Sequence, residues 1–260
     1  MKALLLTFDL EEFVANELGL EVEREVCFEI SKKGFGRLLR MLRNQDTKAT
    51  FFTTLEFAEF CPELIDQALQ EGHELGLHAL RHKDRYSRMP DEKALSILRE
   101  AKQKLEKRFN IKIVSFRAPQ MSRPSYAVLK KLGIEIDSSY HPTWVPGHYN
   151  LFFRTRSVHK ADSITVVPVS VTPFLRLPFS WIWFRTFPLA YSKLCALTSG
   201  SPLNLYFHPW EFEDVSSYKV FKPIVWKTGE SFLGKLGRYI KWCHRQGYRS
   251  KTMQEFVHGR

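Results

Sequence analysis

The sequence predicts an α/β fold, a distorted or incomplete (β/α) barrel with about seven parallel strands and outer helices. Short apolar runs of β-type residues alternate with longer runs of helical periodicity, and polar residues follow most of the apolar runs. A length of 260 residues and a hydrophobic content of 44% suit one domain with a full core. Because no linker, internal repeat or low-complexity segment interrupts the pattern, we predict a single domain over residues 1–260.

The first half of the chain gives the clearest pattern of strands and helices. The predicted strands cover residues 2–8, 49–54, 74–77, 113–116 and 134–137. The predicted helices are one capped by Ser31, one from Pro62 to Gly72, one over 91–109 and one over 125–132. This order of strand, polar residues and helix is typical of a parallel sheet with crossover helices.

The second half of the chain is less regular. Residues 140–163 are rich in His, Pro, Trp and Tyr and are predicted to form a long loop beside the site. Residues 164–171 form a strand interrupted by Pro168, and a further strand over 203–207 precedes a closing helix over 230–246.

An aromatic-rich insertion covers residues 173–191, in which Arg176 and Arg185 are the charged residues. Two arginines and three prolines within it exclude a transmembrane span, which needs about 20 largely apolar residues. We expect the insertion to pack on the barrel or across a neighbouring subunit. Peripheral contact with a membrane interface is the alternative, since Trp and Arg suit that environment.

The net charge of +11 is unevenly distributed. Residues 1–30 carry eight acidic and two basic residues, which suggests a cation-binding focus within a surface that attracts anions. Nucleic acid is not an expected partner, because no lysine-rich arm, zinc finger or RNA-binding aromatic motif accompanies the charge. The four cysteines form no Cys-x-x-Cys pair, and acidic residues interrupt the apolar N-terminus too early for a signal peptide. We therefore predict a cytoplasmic protein. The alternative is a protein that is peripheral to the inner membrane.

Polar residues of complementary chemistry stand at the ends of successive predicted strands. They are Asp9 with Glu11, His78 with His82, Arg117, Asp137 and His208. Strand ends of a parallel barrel meet at one face, so we expect a single pocket. Two histidines and a carboxylate can hold Zn²⁺, a second carboxylate can take a proton from water, and a separate histidine can protonate a leaving amine. His73 falls outside this set and is predicted to be structural.

These residues stand in five motifs that resemble those of the polysaccharide deacetylases of the chitooligosaccharide-deacetylase type, carbohydrate esterase family four. The motifs are Thr7-Phe8-Asp9, His78-Ala79-Leu80-Arg81-His82, Arg117-Ala118-Pro119, Asp137-Ser138-Ser139 and Leu205-Tyr206-Phe207-His208-Pro209. They occur in the family's order, and the resemblance runs from residue 3 to about residue 256, so it covers nearly the whole chain.

The resemblance implies a role for each matching position. Asp9 would be the general base, with Arg117 holding its orientation and ionisation, and His78 and His82 would be metal ligands.

The remaining motifs supply the acid and its surroundings. His208 would be the general acid and Asp137 would tune its imidazole, while the backbone N–H of Gln120 would stabilise the oxyanion. Trp210, which follows the acid, is interpreted either as a wall on which a sugar stacks or as a packed residue beside a capping Glu211.

The first motif departs from the family's commonest form, which has two adjacent aspartates, because Leu10 occupies the second position. Residues 9 and 11 of a strand point to the same side, so we predict that Glu11 is the third metal ligand. Glu12 is the less favoured substitute. If both glutamates were solvated, metal affinity would be poor.

The resemblance implies a hydrolase that removes an N-acyl group, with acetyl the favoured one, from an amino sugar or glycoconjugate. It further implies that Asp9 activates a zinc-bound water and that His208 protonates the leaving amine. Cobalt or nickel would also suit this donor set. The alternatives are a deformylase or deacetylase of a lipid-linked sugar at the inner membrane face, a cyclic amidase, and a metal-deficient carbohydrate-binding protein. The sequence leaves open the glycan, the native metal and the oligomeric state.

Overall fold

This computed structural model describes residues 2–259, and the strands at the centre of its sheet are runs of buried residues. The strands of the chain are β1 (Lys2–Leu10), β2 (Thr50–Thr54), β3 (Glu74–Ala79), β4 (Ser115–Phe116), β5 (Ile136–Asp137), β6 (Trp144–Val145), β7 (Tyr149–Asn150), β8 (His159–Ala161), β9 (Ile164–Val166), β10 (Leu203–Phe207) and β11 (Tyr248–Ser250). Seven of them run parallel in the order β10, β1, β2, β3, β4, β5, β9. The short β11 lies parallel to β1, and β8 pairs with β9 antiparallel at the edge. The sheet forms a half-barrel, which confirms the predicted fold class.

Helices surround this sheet. They are α1 (Arg24–Arg43), α2 (Leu55–Phe60), α3 (Pro62–Gln70), α4 (Asp91–Phe109), α5 (Tyr126–Lys131), α6 (Trp181–Thr186), α7 (Leu189–Ser199), α8 (Lys222–Val225), α9 (Glu230–Arg245) and α10 (Met253–His258). Short 3₁₀ segments cover Val14–Leu18, Tyr86–Arg88, Pro119–Met121 and Pro209–Phe212. The four segments follow strands β1, β3, β4 and β10, at the edge where the predicted polar residues lie.

Strand β1 shows how the sheet separates the core from the site. Its even-numbered residues pack in the main core against α1; they are Leu4, Leu6, Phe8 and Leu10. Thr7 and Asp9 alternate with them and face the other side, where both contact Arg117. Leu10 therefore belongs to the core, and the polar side chains of the first motif point to the barrel interior.

Several element boundaries differ from the predictions. Helix α1 begins at Arg24 and not at Ser31, whose side chain is buried within the helix. Helix α2 was not predicted; its cap is Thr54, which accepts a hydrogen bond from the backbone of Phe57. The strand predicted over 164–171 ends at Val166, two residues before Pro168, which cannot donate to a ladder.

The two irregular regions also have more structure than predicted. Residues 140–163 contain the hairpin of β6 and β7 together with β8. The insertion over 173–191 packs on the barrel through Phe179 and Phe184, which are fully buried in the main core. No helix within residues 2–259 is long and apolar enough to cross a membrane.

Candidate active site

The side chains predicted at the strand ends meet in one pocket at the carboxyl edge of the sheet. Asp9, Glu11, His78, His82 and His208 all line a cavity of about 140 Å³. β1 and β3 supply Asp9 and His78, the turn after β3 supplies His82, and the segments after β1 and β10 supply Glu11 and His208. The parallel order of these strands is what brings residues so far apart in sequence together.

Arg117 lies behind the pocket and is fully buried. Its Nη1 donates to Asp9 Oδ1 at 3.0 Å and to Thr7 Oγ1 at 2.7 Å, while Nε donates to the carbonyl oxygen of Ser138 at 3.0 Å. Burial raises the pKa of Asp9, but the charges of Arg117, His78 and His208 outweigh it and the pKa lies below its ordinary value. The predicted pairing of Asp9 with Arg117 is therefore present, and it favours the ionised carboxylate.

Glu11 stands between the two histidines of the second motif. Its Oε2 lies 3.2 Å from Nε2 of His78 and 3.2 Å from Nε2 of His82. Glu11 is 1% exposed, which excludes the interpretation that it is solvated at a helix start. Glu12 turns away, its Oε1 lying 3.8 Å from Arg24. The structure thus places Glu11, and not Glu12, beside both histidines.

Both histidines use their second ring nitrogen for an outward hydrogen bond. Nδ1 of His78 donates to the carbonyl oxygen of Arg117 at 2.6 Å, and Nδ1 of His82 donates to Oε1 of Glu17 at 2.6 Å. These bonds fix the tautomer that leaves Nε2 with a lone pair aimed at Glu11. Burial lowers the pKa of His78 to about 4, so this imidazole is neutral near pH 7.

Glu17 was not predicted from the sequence. It lies in the 3₁₀ segment Val14–Leu18 and also accepts hydrogen bonds from Arg85 and Gln120. Its position six residues beyond Glu11 matches no motif, so the acidic character of residues 1–30 was the available indication.

The donor set fits a divalent metal. Lone pairs of one carboxylate and two imidazoles converge, and burial together with the charges of Asp9, Glu12 and Glu17 raises the pKa of Glu11 well above its ordinary value. A cation would relieve this crowding of acceptors. Tetrahedral zinc places neighbouring ligand atoms about 3.3 Å apart, close to the observed separations of 3.2 Å. Within residues 2–259, the His, Cys, Asp and Glu side chains form no group of three or more that is already arranged to hold a metal, so binding would require these side chains to adjust.

His208 is oriented by Glu211. Oε1 of Glu211 accepts hydrogen bonds from the backbone N–H of His208 at 2.9 Å and from Nδ1 at 3.1 Å, and its other oxygen pairs with the buried Arg185. Nε2 of His208 faces the pocket, 3.8 Å from Oε1 of Glu11. Burial lowers the pKa of His208 to about 3, with further lowering by His82 and His78, although Asp9 opposes the shift.

The prediction that Asp137 tunes His208 is corrected by this arrangement, since Glu211 holds the position next to Nδ1. Asp137 is fully buried on β5 and accepts a hydrogen bond from the backbone of Ser139 at 2.9 Å. Its second oxygen lies 3.9 Å from Nε of Arg123. The fourth motif instead supports the base, because Nη2 of Arg117 donates to Oγ of Ser138.

Gln120 lines the pocket in a left-handed conformation, with φ of 48°, as part of the 3₁₀ segment after β4. The structure places it beside the site, as predicted, with its side-chain amide donating to Glu17 at 3.1 Å.

Trp210 lines the pocket but has no exposed face on which a sugar could stack. Its ring is fully buried and stacks on the imidazole of His208, with ring centroids 5.4 Å apart. The packed interpretation, with Glu211 as a capping residue, is therefore the right one. Trp181 of the aromatic insertion lines the pocket as well, its ring centroid 5.6 Å from that of His208. Sequence reasoning missed Trp181 because the insertion contains six other aromatic residues from which it could not be distinguished.

Comparison with known proteins identifies the relatives of this chain. The family model described as polysaccharide deacetylase matches residues 2–136, more than half of the chain. YheN of Bacillus subtilis (strain 168), provisionally named a polysaccharide deacetylase, is 31% identical over 108 residues. That alignment covers 42% of this chain and 38% of YheN, so this chain spans well under half the length of that curated relative.

Solved structures share the fold. A protein from Mycobacterium smegmatis, provisionally named a polysaccharide deacetylase, aligns over 99% of this chain and 90% of its own, with a TM-score of 0.67 and 16% identity. BA3943 of Bacillus anthracis, described as a pseudoenzyme of family CE4, aligns over 98% of this chain and 64% of its own, with a TM-score of 0.58 and 14% identity.

Proposed function

The chain belongs to the polysaccharide deacetylase family, and we propose that it is a hydrolase that removes an N-acyl group, acetyl in the first instance, from an amino sugar or glycoconjugate. The observation that carries the proposal is the position of Glu11 between the Nε2 atoms of His78 and His82. Asp9 and His208 line the same pocket, so a base and an acid lie close to this donor set.

Glu11, His78 and His82 would hold a divalent metal, for which zinc, cobalt and nickel are all suitable. When bound, such a metal polarises the carbonyl of the scissile amide and lowers the pKa of water.

Asp9 takes a proton from the attacking water. Arg117 favours the ionised state of this carboxylate, and its hydrogen bond to Oδ1 leaves the other carboxylate oxygen for the proton. Because Arg117 is itself held by Ser138 and Thr7, it is a fixed partner that orients the base through the buried hydrogen bond to Asp9.

His208 delivers a proton to the departing nitrogen. Its imidazole is neutral in the resting site, with its proton on Nδ1, so Nε2 first takes up a proton from solvent as negative charge on the substrate oxygen raises its pKa, and then gives that proton to the nitrogen. The proton that Asp9 takes from the water returns to solvent after the products leave. The hydrogen bond from Nδ1 to Glu211 keeps Nε2 directed into the pocket. The backbone N–H of Gln120 is the proposed donor to the developing oxyanion.

Deformylation or deacetylation of a lipid-linked sugar is a second candidate. The observation that favours it is the exposure of Trp144, Phe153 and Phe174. Trp144 belongs to the hairpin of β6 and β7, which also contributes His148 and Tyr149 to the pocket.

The test is release of acetate or formate from N-acetylated and N-formylated amino sugars by the protein loaded with zinc, cobalt or nickel. We expect Asp9→Asn to lower kcat by about 100-fold or more, whereas Asp46→Asn, in the turn after α1, leaves it unchanged. Failure of the metal-loaded protein to release either acid from any substrate, while the same preparation binds sugars, would favour a carbohydrate-binding protein instead.

A further inference from the structure

The surface beside the pocket carries large apolar side chains in unusual number. Phe153 and Phe174 are each 92% exposed, and Leu175 and Trp144 are 71% and 60% exposed. Leu177 is 40% exposed and lies beside them in sequence. We call these five residues, with Arg154, Arg156 and Arg176, the aromatic rim.

The two loops that carry the aromatic rim are hydrogen-bonded to each other. Oγ1 of Thr143 donates to the carbonyl oxygen of Arg176 at 2.9 Å, and Nη1 of Arg176 donates to the carbonyl oxygen of Arg154 at 3.2 Å. These bonds place the neighbours of Thr143, Arg154 and Arg176 next to one another. The neighbours are Trp144, Phe153 and Leu175.

The charge of this region is positive and uncompensated. Residues 141–202 contain six basic residues (Arg154, Arg156, Lys160, Arg176, Arg185 and Lys193) and one acidic residue, Asp162. Within residues 2–259, the three arginines of the rim have no carboxylate partner; their contacts are carbonyl oxygens and the ring of Tyr140. Guanidinium groups held in this way remain available to an external anion.

The backbone of the loop that carries Phe174 and Arg176 is strained. Phe174 has φ of 57° and Arg176 has φ of 53°, a left-handed conformation that bulky residues rarely adopt. Burial of the Phe174 ring does not offset this cost, because the ring is almost fully exposed. An external apolar phase would supply the missing burial.

We propose that the aromatic rim docks the protein on an anionic lipid surface. Aromatic rings and Leu side chains enter the boundary between headgroups and acyl chains, and arginines pair with lipid phosphates. The rim follows directly from the pocket wall, since β6 carries Trp144 and pairs with β7, which carries Tyr149 of the pocket. The docked protein would therefore hold its pocket close to the membrane surface. The proposal concerns binding alone and does not depend on the proposed hydrolase activity.

The test is flotation of the full chain with vesicles, in the absence of substrate. We expect binding to phosphatidylcholine vesicles that contain phosphatidylglycerol, weak binding to phosphatidylcholine alone, and loss of binding as salt rises from about 0.1 M to about 1 M. The double variant Phe153→Ser with Phe174→Ser should bind about tenfold or more weakly. Phe221→Ser is the matched control, because that ring is 72% exposed outside the rim.

A second pair of variants distinguishes the effect of the rim arginines from the effect of net charge. Arg154→Glu should weaken vesicle binding about tenfold, whereas Arg108→Glu, the same charge change on α4, should have little effect. Unchanged melting temperatures would show that the exposed substitutions leave the fold intact.

Three outcomes would overturn the proposal. One is absence of wild-type binding to anionic vesicles. Another is that the rim variants and their controls weaken vesicle binding equally, which would indicate an effect of net charge or of nonspecific hydrophobic adsorption. The third is self-association of the wild type that the double phenylalanine variant abolishes while vesicle binding is unaffected, since a second copy of the chain would then be the occupant of the rim.

Discussion

Glu211 binds His208 twice through one carboxylate oxygen, which lies 2.9 Å from the backbone nitrogen and 3.1 Å from Nδ1. The first bond closes the cap of the 3₁₀ segment Pro209–Phe212, and the second fixes the rotation and tautomer of the imidazole. The pair of Glu211 with Arg185 holds the carboxylate from behind. The local fold of the chain after β10 and the orientation of the proposed acid therefore depend on the same side chain.

We expect Glu211→Gln to lower kcat about 10- to 100-fold with a smaller effect on KM, because the amide can present its N–H₂ to Nδ1 and turn the imidazole. The readout is steady-state kinetics on the best substrate of the acylated sugar panel. Glu213→Gln is the matched control, since Glu213 pairs with Arg37 at the surface.

Stability must be measured on the same proteins, because Arg185 loses its charged partner in Glu211→Gln. Loss of one member of a buried ion pair costs about 3–5 kcal/mol when the other charge is left uncompensated. A variant that melts earlier but retains full kcat well below its melting temperature would show that Glu211 has a structural role alone.

The second prediction concerns the third metal ligand. Glu11→Ala should weaken zinc binding by about 100-fold or more, whereas Glu12→Ala, the neighbouring carboxylate that faces Arg24, should leave it nearly unchanged. Calorimetric titration of the metal-free proteins measures this directly and needs no substrate. Equal losses in the two variants would contradict the assignment of Glu11, and binding that survives both would place the metal elsewhere.

The third prediction concerns His73, which the sequence indicated as structural. Its ring is buried against Phe51, with centroids 5.2 Å apart, and its Nδ1 accepts a hydrogen bond from the backbone of Ala49. Burial lowers the pKa of His73 from 6.5 to about 4. Between these values the unfolded chain binds a proton that the folded chain does not, so the free energy of unfolding falls as pH decreases from 6.5 towards 4.

His73 is expected to lower the free energy of unfolding by about 3 kcal/mol as the pH falls from 6.5 to 4. Above pH 6.5 this loss is absent and the protein has its full stability. His73→Asn retains an acceptor for Ala49 but does not titrate, so its unfolding free energy should depend less on pH over this range. Urea unfolding at several pH values measures the difference. Parallel pH profiles for the two proteins would mean that His73 has the same pKa in the folded and unfolded chain, which contradicts the prediction.

The sequence predicted most strongly those parts of the site that lie at strand ends. Asp9, His78 and His208 follow apolar runs, and in a parallel sheet such positions share an edge whatever the loops do. The placement of Glu11 also followed from local geometry, since alternation along a strand relates it to Asp9.

The parts that could not be predicted depend on contacts between loops. Asp137 and Glu211 are both acidic residues near strand ends, and which of them meets His208 is decided by the 3₁₀ turn after β10. Glu17 and Trp181 enter the pocket from irregular segments whose paths are set by packing on the finished barrel. Periodicity carries no information about such paths.

The final prediction concerns Gly34 and Gly36, two glycines of α1 that differ in what surrounds them. A Cβ on Gly34 would lie 2.0 Å from the carbonyl oxygen of Pro209, whereas a Cβ on Gly36 would meet Arg40 at 3.9 Å. Helix α1 therefore approaches the turn that carries His208 at a point where a glycine alone fits. Gly36→Ala should stabilise the protein by about 0.5–1 kcal/mol, because alanine favours the helix.

Gly34→Ala gains the same helix propensity but should destabilise the protein by about 1–3 kcal/mol. It should also lower kcat, because the turn next to His208 must move to make room for the Cβ. Chemical unfolding and kinetics on both variants check this, and equal stabilisation by the two would show that α1 does not support the position of His208.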